Sequence, residues 1–208
     1  GRIGRQEYAV SELVKNCGID MTECSLIEEN GRAHFLTKRF DRENGRKIHM
    51  QTLCGMAHYD FRLKNGHSYE QAFNVMRRLR LPYSQAQEMF RRIVFNVVVR
   101  NQDDHTKNIS FLMDSSGQWS LSPAYDMGFA YNPLGAWTAT HQMSINGKFD
   151  NITRADLLSL ANANNIKNAS EIIDQVCETT AGWPELAKNC GVPQKMIDGI
   201  VPHMLLSI

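Results

Sequence analysis

The segment from Asn101 to Asn108, NQDDHTKN, gathers acids, a histidine, a lysine and asparagines within eight residues. Four residues separate Asp103 from Asn108. In loops that transfer a phosphoryl group, a carboxylate at the first of these positions accepts the proton of the attacking hydroxyl, and an amide oxygen at the second binds magnesium. Asp104 lies one residue out of that spacing. The segment therefore predicts a phosphoryl-transfer loop with Asp103 as its base.

A second acid occurs in the segment SPAYDMGFAY, where Asp126 is followed by Met127 and Gly128. This triplet has the pattern of the D-F-G sequence, whose acid holds magnesium in protein kinases. Magnesium is usually bound by one or two carboxylates together with phosphate oxygens and water. A hairpin between the loop and the triplet would bring Asp126 back towards Asn108. The alternative interpretation is a solvated loop in which these acids only cap turns.

A helical pattern precedes the loop. Apolar residues recur at three- and four-residue steps between Ala86 and Val98, and Ser84 with Gln87 forms a capping pattern. A buried helix would hold the loop side chains still, as catalysis by positioning requires. After the loop, ISFLMD and QWSLS flank Asp114–Gly117, which predicts a hairpin.

The other predicted elements are mostly helices. A helix from Arg5 to Cys17 precedes a hairpin whose strands, 23–28 and 32–40, are joined through Asn30-Gly31. Further helices are predicted at 51–58, at 69–80, after a Thr153/Asp156 capping box, after a Ser170 cap and from Met196 to Leu205. Helices and hairpins are segregated, without the alternation of a parallel sheet. The predicted fold class is therefore α+β and mostly helical, with small β-hairpins.

The composition excludes several function classes. The 208 residues are 42% hydrophobic and carry a formal net charge of +1, so no global field selects nucleic acid or a membrane as partner. The five cysteines form no C-x-x-C pair, the histidines show no metal-binding spacing, and no stretch resembles a signal peptide or a membrane span. We expect a cytoplasmic location without a membrane partner. The segment from Phe129 to Asn151 is expected to be either a mobile segment that contacts substrate or an ordinary surface loop.

Three blocks of the sequence resemble the C-terminal domain of the HipA-like kinases, the toxin kinases of bacterial toxin–antitoxin modules. They are LTKRFDR from Leu36, NQDDHTKNISF from Asn101 and LSPAYDM from Leu121. Their order and spacing, with the helical tail, extend the resemblance over most of the chain. The resemblance implies a bilobal, protein-kinase-like fold of the HipA type that uses ATP and Mg²⁺ to phosphorylate serine or threonine of a protein.

Site residues follow from the resemblance position by position. Asp103 would be the catalytic base, and Asn108 and Asp126 would be the magnesium ligands. His105 and Lys107 would lie near the phosphates. The block KRFDR resembles the hinge between the lobes, with the backbone of Lys38 and Phe40 facing adenine.

The resemblance also divides the chain. Residues 1–40 would be the end of the small lobe, a helix plus a hairpin leading to the hinge, and residues 41–208 the helical large lobe. A kinase also needs a glycine-rich or equivalent loop and a strand lysine before the hinge. The first thirty-five residues contain neither, and the chain begins without methionine. We expect a fragment that lacks the N-terminal phosphate-binding region and is inactive alone.

Partners implied by the resemblance are a helix-turn-helix antitoxin, through which DNA would be reached only indirectly, and a protein substrate of the aminoacyl-tRNA synthetase kind. Two alternatives remain open. A small-molecule kinase of the aminoglycoside-phosphotransferase type shares the Asp-loop-Asn-Asp plan, but such enzymes usually have histidine where Asn101 stands. The other alternative is a non-catalytic domain that only binds a partner.

Overall fold

The computed structural model describes residues 2–208. The α-helices of this part of the chain are α1 (Arg2–Asn16), α2 (Leu53–Ala57), α3 (Tyr69–Arg78), α4 (Tyr83–Val99), α5 (Arg154–Ala163), α6 (Ala169–Ala181), α7 (Trp183–Asn189) and α8 (Gln194–Ile200). The strands are β1 (Cys24–Glu29), β2 (Arg32–Thr37), β3 (Arg42–Glu43), β4 (Arg46–Lys47), β5 (His49–Thr52), β6 (His67–Ser68), β7 (Ser110–Met113), β8 (Trp119–Leu121) and β9 (Met143–Ser144).

Strands β1 and β2 form the predicted hairpin. They pair antiparallel, with Glu29 opposite Arg32. The two turn residues, Asn30 and Gly31, have φ angles of 50° and 72°. A two-residue hairpin turn of type I′ needs this left-handed conformation, which asparagine and glycine adopt at little cost. The local turn signal thus decided the register of the hairpin.

A three-stranded antiparallel sheet lies beside the loop of interest, in the order β5-β7-β8. The β7–β8 hairpin was predicted, but β5 was not, because residues 51–58 were expected to be helical throughout. Gln51 and Thr52 instead pair with Phe111 and Ser110 of β7. Thr52 then caps α2 by accepting a hydrogen bond from the Gly55 N–H at 3.0 Å. Pairing with a distant strand therefore replaced the first turn of the expected helix.

Helix α4 forms the centre of the core and ends at the loop. Its apolar period is confirmed, since Phe90, Ile93 and Val94 are fully buried. The predicted cap is wrong, because Pro82 occupies the N-cap position and Ser84 lies inside the first turn. At the other end the chain leaves the helix through Arg100, whose φ of 55° and ψ of 50° are left-handed.

The C-terminal third is helical, as predicted. The capping box is confirmed, since the Thr153 side chain accepts from Asp156 N and the Asp156 carboxylate accepts from Thr153 N. The Ser170 cap is wrong, because α6 already begins at Ala169. The last helix stops at Ile200 and continues only as a short 3-10 turn, since Pro202 has no N–H to donate.

One cluster of buried side chains joins these elements. It includes Leu13 of α1, Phe90 of α4, Ile173 of α6 and Trp183 of α7. Helix α1 therefore packs in the same core as the C-terminal helices. With eight α-helices and small, mostly antiparallel sheets in residues 2–208, the fold class is α+β, as predicted. None of the helices in residues 2–208 has the length and apolar composition needed to cross a membrane.

Candidate functional site

The loop that follows α4 is anchored where it begins. The backbone N–H of Asn101 donates to the Asn96 carbonyl at 2.8 Å, and the Asn101 side-chain amide donates to Oδ1 of Asn96 at 2.9 Å. Ala130 donates to the carbonyl of Arg100 at 3.1 Å. The direction in which the loop leaves the helix is thus fixed by contacts on both sides.

Asp104 anchors the middle of the loop in the core. The side chain is buried, with Oδ2 2.6 Å from the Tyr69 hydroxyl and 2.8 Å from Nδ1 of His141. Its other oxygen, Oδ1, accepts from the backbone N–H of Gln142 at 2.7 Å. Burial first, and then the charge of Asp104, raise the pKa of Tyr69 well above its usual value, so the phenol stays a donor. A buried carboxylate with three donors is a structural anchor.

Asp103, by contrast, faces outward into the candidate site. Its side chain is 50% exposed, and Oδ1 lies 3.9 Å from Nε2 of His105. Partial burial is the main cause that raises the pKa of Asp103, and the nearby charge of Asp126 raises it further, while His105 opposes the shift. A raised pKa makes a carboxylate a stronger base, which suits a group that must take a proton from an alcohol.

The hydrogen bonds of Asn108 use its side-chain nitrogen and leave its side-chain oxygen available to bind a ligand. Its Nδ2 donates to the Asp103 carbonyl at 3.0 Å, and its backbone N–H donates to the His105 carbonyl at 2.9 Å. Asn108 and Asp126 line the same narrow cavity of about 30 Å³, together with Tyr125. That volume can hold a water molecule or an ion. The structure thus brings the two predicted metal ligands to one cavity.

The donor set fits magnesium. Asp126 supplies one carboxylate and Asn108 one amide oxygen, and this ion normally completes its shell with phosphate oxygens and water. In the part of the chain that the structure describes, no group of three His, Cys, Asp or Glu side chains is arranged to hold a metal alone. The assignment of these two ligands stays a prediction.

A third acid, Glu7 of α1, lies beside this site and was not predicted. Glu7, Asp103 and Asp126 line a cleft of about 220 Å³. Burial is the larger cause that raises the pKa of Glu7, and the charge of Asp126 adds to it. Asp126 itself has a φ of 54°, a left-handed conformation that Asp tolerates better than most residues. No local signal could have revealed Glu7, since α1 reaches the cleft only through tertiary packing.

His105 and Lys107 lie near Phe61. Lys107 Nζ is 3.6 Å from the centroid of the Phe61 ring, and the His105 ring meets it edge-on at 6.1 Å. Nδ1 of His105 is buried without a hydrogen-bond partner. His105 also lines the cavity that Asn108 and Asp126 share, and the phosphate contacts of His105 and Lys107 stay a prediction.

The block predicted to be the hinge borders a cleft of about 520 Å³. The Lys38 N–H already donates to the Glu23 carbonyl at 2.9 Å, and its carbonyl accepts from the Thr22 hydroxyl at 2.7 Å. The N–H of Lys38 is therefore not free for adenine, although its carbonyl keeps one lone pair. The Phe40 ring packs on Tyr125 with centroids 5.4 Å apart. The adenine contact of both hinge residues stays a prediction.

Tyr125 connects the block predicted to be the hinge to the loop after α4. While its ring contacts Phe40, its hydroxyl donates to the Lys107 carbonyl at 2.5 Å and pairs with the Ser110 hydroxyl. Burial raises the pKa of Tyr125, which keeps the phenol protonated. The sequence analysis singled out its neighbour Asp126 and missed this connection.

The segment from 129 to 151 is only partly a surface loop. Leu134 and Trp137 are exposed, at 94% and 52%. Residues 141–145 are buried, and β9 pairs with β6. His141 and Gln142 hold Asp104, as described above. The second half of this segment is therefore part of the framework behind the loop.

Comparison with known proteins identifies relatives of the chain. The family described as "HipA-like C-terminal domain" matches residues 1–183. A protein of Sinorhizobium fredii named "Putative kinase Y4dM" is 27% identical, and the match covers 97% of this chain and 53% of that protein. One of Haemophilus influenzae named "Putative kinase" is 29% identical over 140 residues, which are 60% of this chain and 40% of that protein. The chain thus spans about half or less of these relatives.

Two solved structures share the fold. One is HipA of Shewanella oneidensis, from the complex of the toxin–antitoxin system HipA, HipB and its operator DNA. It has a TM-score of 0.74 and 19% identity, and covers 95% of this chain and 52% of that one. The other is the proinflammatory kinase CtkA of Helicobacter pylori, with a TM-score of 0.57, 14% identity, and coverage of 97% and 83%. At these identities the likeness concerns the fold.

Proposed function

The chain belongs to the HipA-like C-terminal domain family, and from this premise we propose that it is the kinase-like large lobe, with the end of the small lobe, of an enzyme that transfers a phosphoryl group from ATP to serine or threonine of a protein. Residues 1–40 lead to the hinge, and residues 41–208 carry the catalytic loop. The observation that carries the proposal is the position of Asp126, which shares one cavity with Asn108 and another with Asp103.

Asp103 acts as the base. Its carboxylate is half-exposed, so a hydroxyl can reach it, and its raised pKa favours uptake of the proton. Its backbone is held in position, because the next residue, Asp104, forms hydrogen bonds with Tyr69, His141 and Gln142. Such positioning matters because phosphoryl transfer depends mainly on placement and on neutralising charge.

Asn108 and Asp126 are proposed to hold Mg²⁺ on the phosphates. The ion, when bound, neutralises charge on the transferred group. The chain itself keeps Oδ1 of Asn108 free by engaging its Nδ2 with the Asp103 carbonyl. His105 and Lys107 are proposed phosphate contacts, and the carbonyl of Lys38 and the backbone of Phe40 are proposed adenine contacts at the hinge.

The whole protein is proposed to be the toxin of a toxin–antitoxin module. The match to HipA, which was solved with HipB and operator DNA, supports a helix-turn-helix antitoxin as partner, with DNA contacted only through it. We propose a cytoplasmic location and a protein substrate such as an aminoacyl-tRNA synthetase. Since the chain spans about half of HipA, these properties are proposed for the whole protein.

The test is transfer of labelled γ-phosphate from ATP by the full-length protein in an extract. We expect label on protein, a loss of at least about 100-fold in Asp103→Asn, and unchanged transfer in Asp198→Asn, which alters an exposed acid of α8. Label on small alcohols would favour the small-molecule kinase. Antitoxin binding without any transfer or nucleotide binding would favour the non-catalytic domain. Full activity of Asp103→Asn would refute the assignment of the base.

A further inference from the structure

Phe61 lies in the connection between α2 and β6, where no motif drew attention to it. Its ring has three neighbours with polar or charged groups. Lys107 Nζ is 3.6 Å from the ring centroid, Arg62 Cζ is 5.5 Å from it, and the His105 ring lies edge-on at 6.1 Å. A single aromatic side chain from outside the loop thus contacts two side chains of the catalytic loop.

The contact with Lys107 is the closest of the three. Lys107 is exposed and forms no salt bridge with any residue that the structure describes. A free lysine of this kind would sample many rotamers, and ordering it costs conformational entropy. The face of an aromatic ring attracts an ammonium through its quadrupole, most strongly when the centroid is near. The Phe61 ring therefore restricts where the Lys107 ammonium lies.

Two positively charged side chains lie beside the Phe61 ring. They are those of Lys107 and Arg62, and the face of the ring attracts cations. His105 lines the cavity that Asn108 and Asp126 share, and its Nε2 lies 3.9 Å from Oδ1 of Asp103, so a basic group lies next to the acids of the site. A magnesium–triphosphate needs acids for its metal and cations for its phosphates. The loop and its neighbours offer both kinds of group close together.

The backbone of the loop is fixed independently of Phe61. The N–H of Cys54 donates to the Thr106 carbonyl at 3.1 Å, and the N–H of Leu53 donates to the Ile109 carbonyl at 2.8 Å. These bonds come from the start of α2, which lies before Phe61 in the chain. Removal of the ring should therefore release the side chains of Lys107 and His105 while the loop backbone stays in place.

We propose that Phe61 is a positioning residue for nucleotide binding, whose ring holds the Lys107 ammonium and the His105 ring, the latter at the cavity that Asn108 and Asp126 share. Phe61 itself touches no reacting atom. The consequence for affinity rests on the function proposed above, whereas the placement of Lys107 does not.

The first experiment compares Phe61→Leu with Phe61→Tyr in the full-length protein. We expect Phe61→Leu to raise KM for ATP by between about 2- and 30-fold, because the cation–π contact is lost. Phe61→Tyr keeps the ring face and should stay within about twofold of the parent protein. Leu63→Ala is the matched control, since it shortens an exposed side chain of the same connection. An unchanged KM in Phe61→Leu, or an equal rise in Phe61→Tyr, would overturn the proposal.

A double-mutant cycle separates positioning from general loosening. In a Lys107→Met background, Phe61→Leu should change KM little further, because the two substitutions remove the same interaction. Effects of the two substitutions that simply multiply would overturn the proposed route through Lys107. Thermal unfolding of each variant shows whether a change in KM accompanies a change in stability, and a loss of stability with KM unaltered would leave only a structural role for Phe61.

A readout without nucleotide distinguishes failure of this proposal from failure of the proposed function. The ε-methylene protons of Lys107 should show an upfield ring-current shift in the NMR spectrum, and Phe61→Leu should abolish that shift. The shift without any ATP binding by the parent protein would retain the placement of Lys107 and refute the kinase function. ATP binding without the shift would retain the function and refute the role of Phe61.

Discussion

The phenolic hydroxyl of Tyr69 lies 2.6 Å from Oδ2 of Asp104, and both side chains are buried. Tyr69 is the first residue of α3, whose N-terminus is fixed by the capping box of Ser68. The same hydroxyl accepts from Nδ2 of Asn96 at 3.0 Å, and Asn96 in turn binds Asn101. A continuous path of hydrogen bonds therefore runs from α4 through α3 to the middle of the loop.

Tyr69→Phe should destabilise the fold. It removes the donor to Asp104 and the acceptor of Asn96, and it leaves the buried Asp104 and the partly buried Asn96 short of one partner each. A loss of about 1–3 kcal/mol in the free energy of unfolding is expected, measured by urea denaturation. Tyr83→Phe is the control, because Tyr83 is exposed and accepts one bond, from Lys167 N at 3.1 Å. Equal losses in the two variants would contradict the structural role of the path.

Tyr125→Phe should weaken nucleotide binding more than it weakens folding. The variant keeps the ring contact with Phe40 but loses the hydrogen bond to the Lys107 carbonyl. We expect a rise of about 3- to 10-fold in the Kd for ATP, as for one lost neutral hydrogen bond. Ser110→Ala, which leaves the bond to Lys107 in place, should change the Kd less. Titration of the full-length protein measures both, and an effect confined to Ser110→Ala would contradict this assignment.

Asp126→Asn and Asp126→Val should differ in their effects. The first should change only metal-dependent nucleotide binding, and the second should also lower the stability of the fold. Asparagine tolerates the left-handed backbone at φ 54°, so Asp126→Asn should fold normally and lose only the magnesium dependence of nucleotide binding. Valine is strained there, and Asp126→Val should cost about 1–2 kcal/mol of stability in addition. Urea unfolding together with ATP titration at several magnesium concentrations checks both. Magnesium dependence that survives in Asp126→Asn would exclude Asp126 as a ligand.

Acid should remove a stabilising contribution of Asp156. Burial alone would raise the pKa of this carboxyl, but hydrogen bonds from Lys148, Thr153 and Asn146 hold the pKa well below 3.8. A lowered pKa in the folded state means that the contribution is complete above 3.8 and is lost as pH falls towards the folded-state pKa. The stability difference between the parent chain and Asp156→Asn should therefore be about 1–3 kcal/mol at pH 7 and shrink below pH 4. A difference independent of pH would contradict the ion pair with Lys148.

Local patterns were sufficient for the elements that have local causes. The Asn30-Gly31 turn, the apolar face of α4 and the capping box at Thr153 all depend on residues within one or two turns of each other. The two acids and the asparagine of the candidate site were predicted for a similar reason. Their spacing along the chain drew attention to them before any packing was known.

Other features depend on contacts between distant segments. Strand β5 exists because β7 pairs with it, and β6 exists because β9 does. Glu7 enters the cleft through the packing of α1, and Asp104 becomes an anchor only where Tyr69 and His141 meet it. Tertiary context decides short strands and buried polar partners, so spacing alone could not predict them.

The length of α4 determines the direction in which the loop with Asp103 leaves the helix, because the chain exits through the left-handed residue Arg100. Each residue of an α-helix rotates the chain by about 100° around the axis. Arg100 ends α4 after 17 residues and sends the chain into the cleft. One residue more or fewer would aim the carboxylate of Asp103 at a different side of the molecule, even if every side chain of the loop were kept. Insertions and deletions in α4 are therefore far more disruptive than substitutions on its surface.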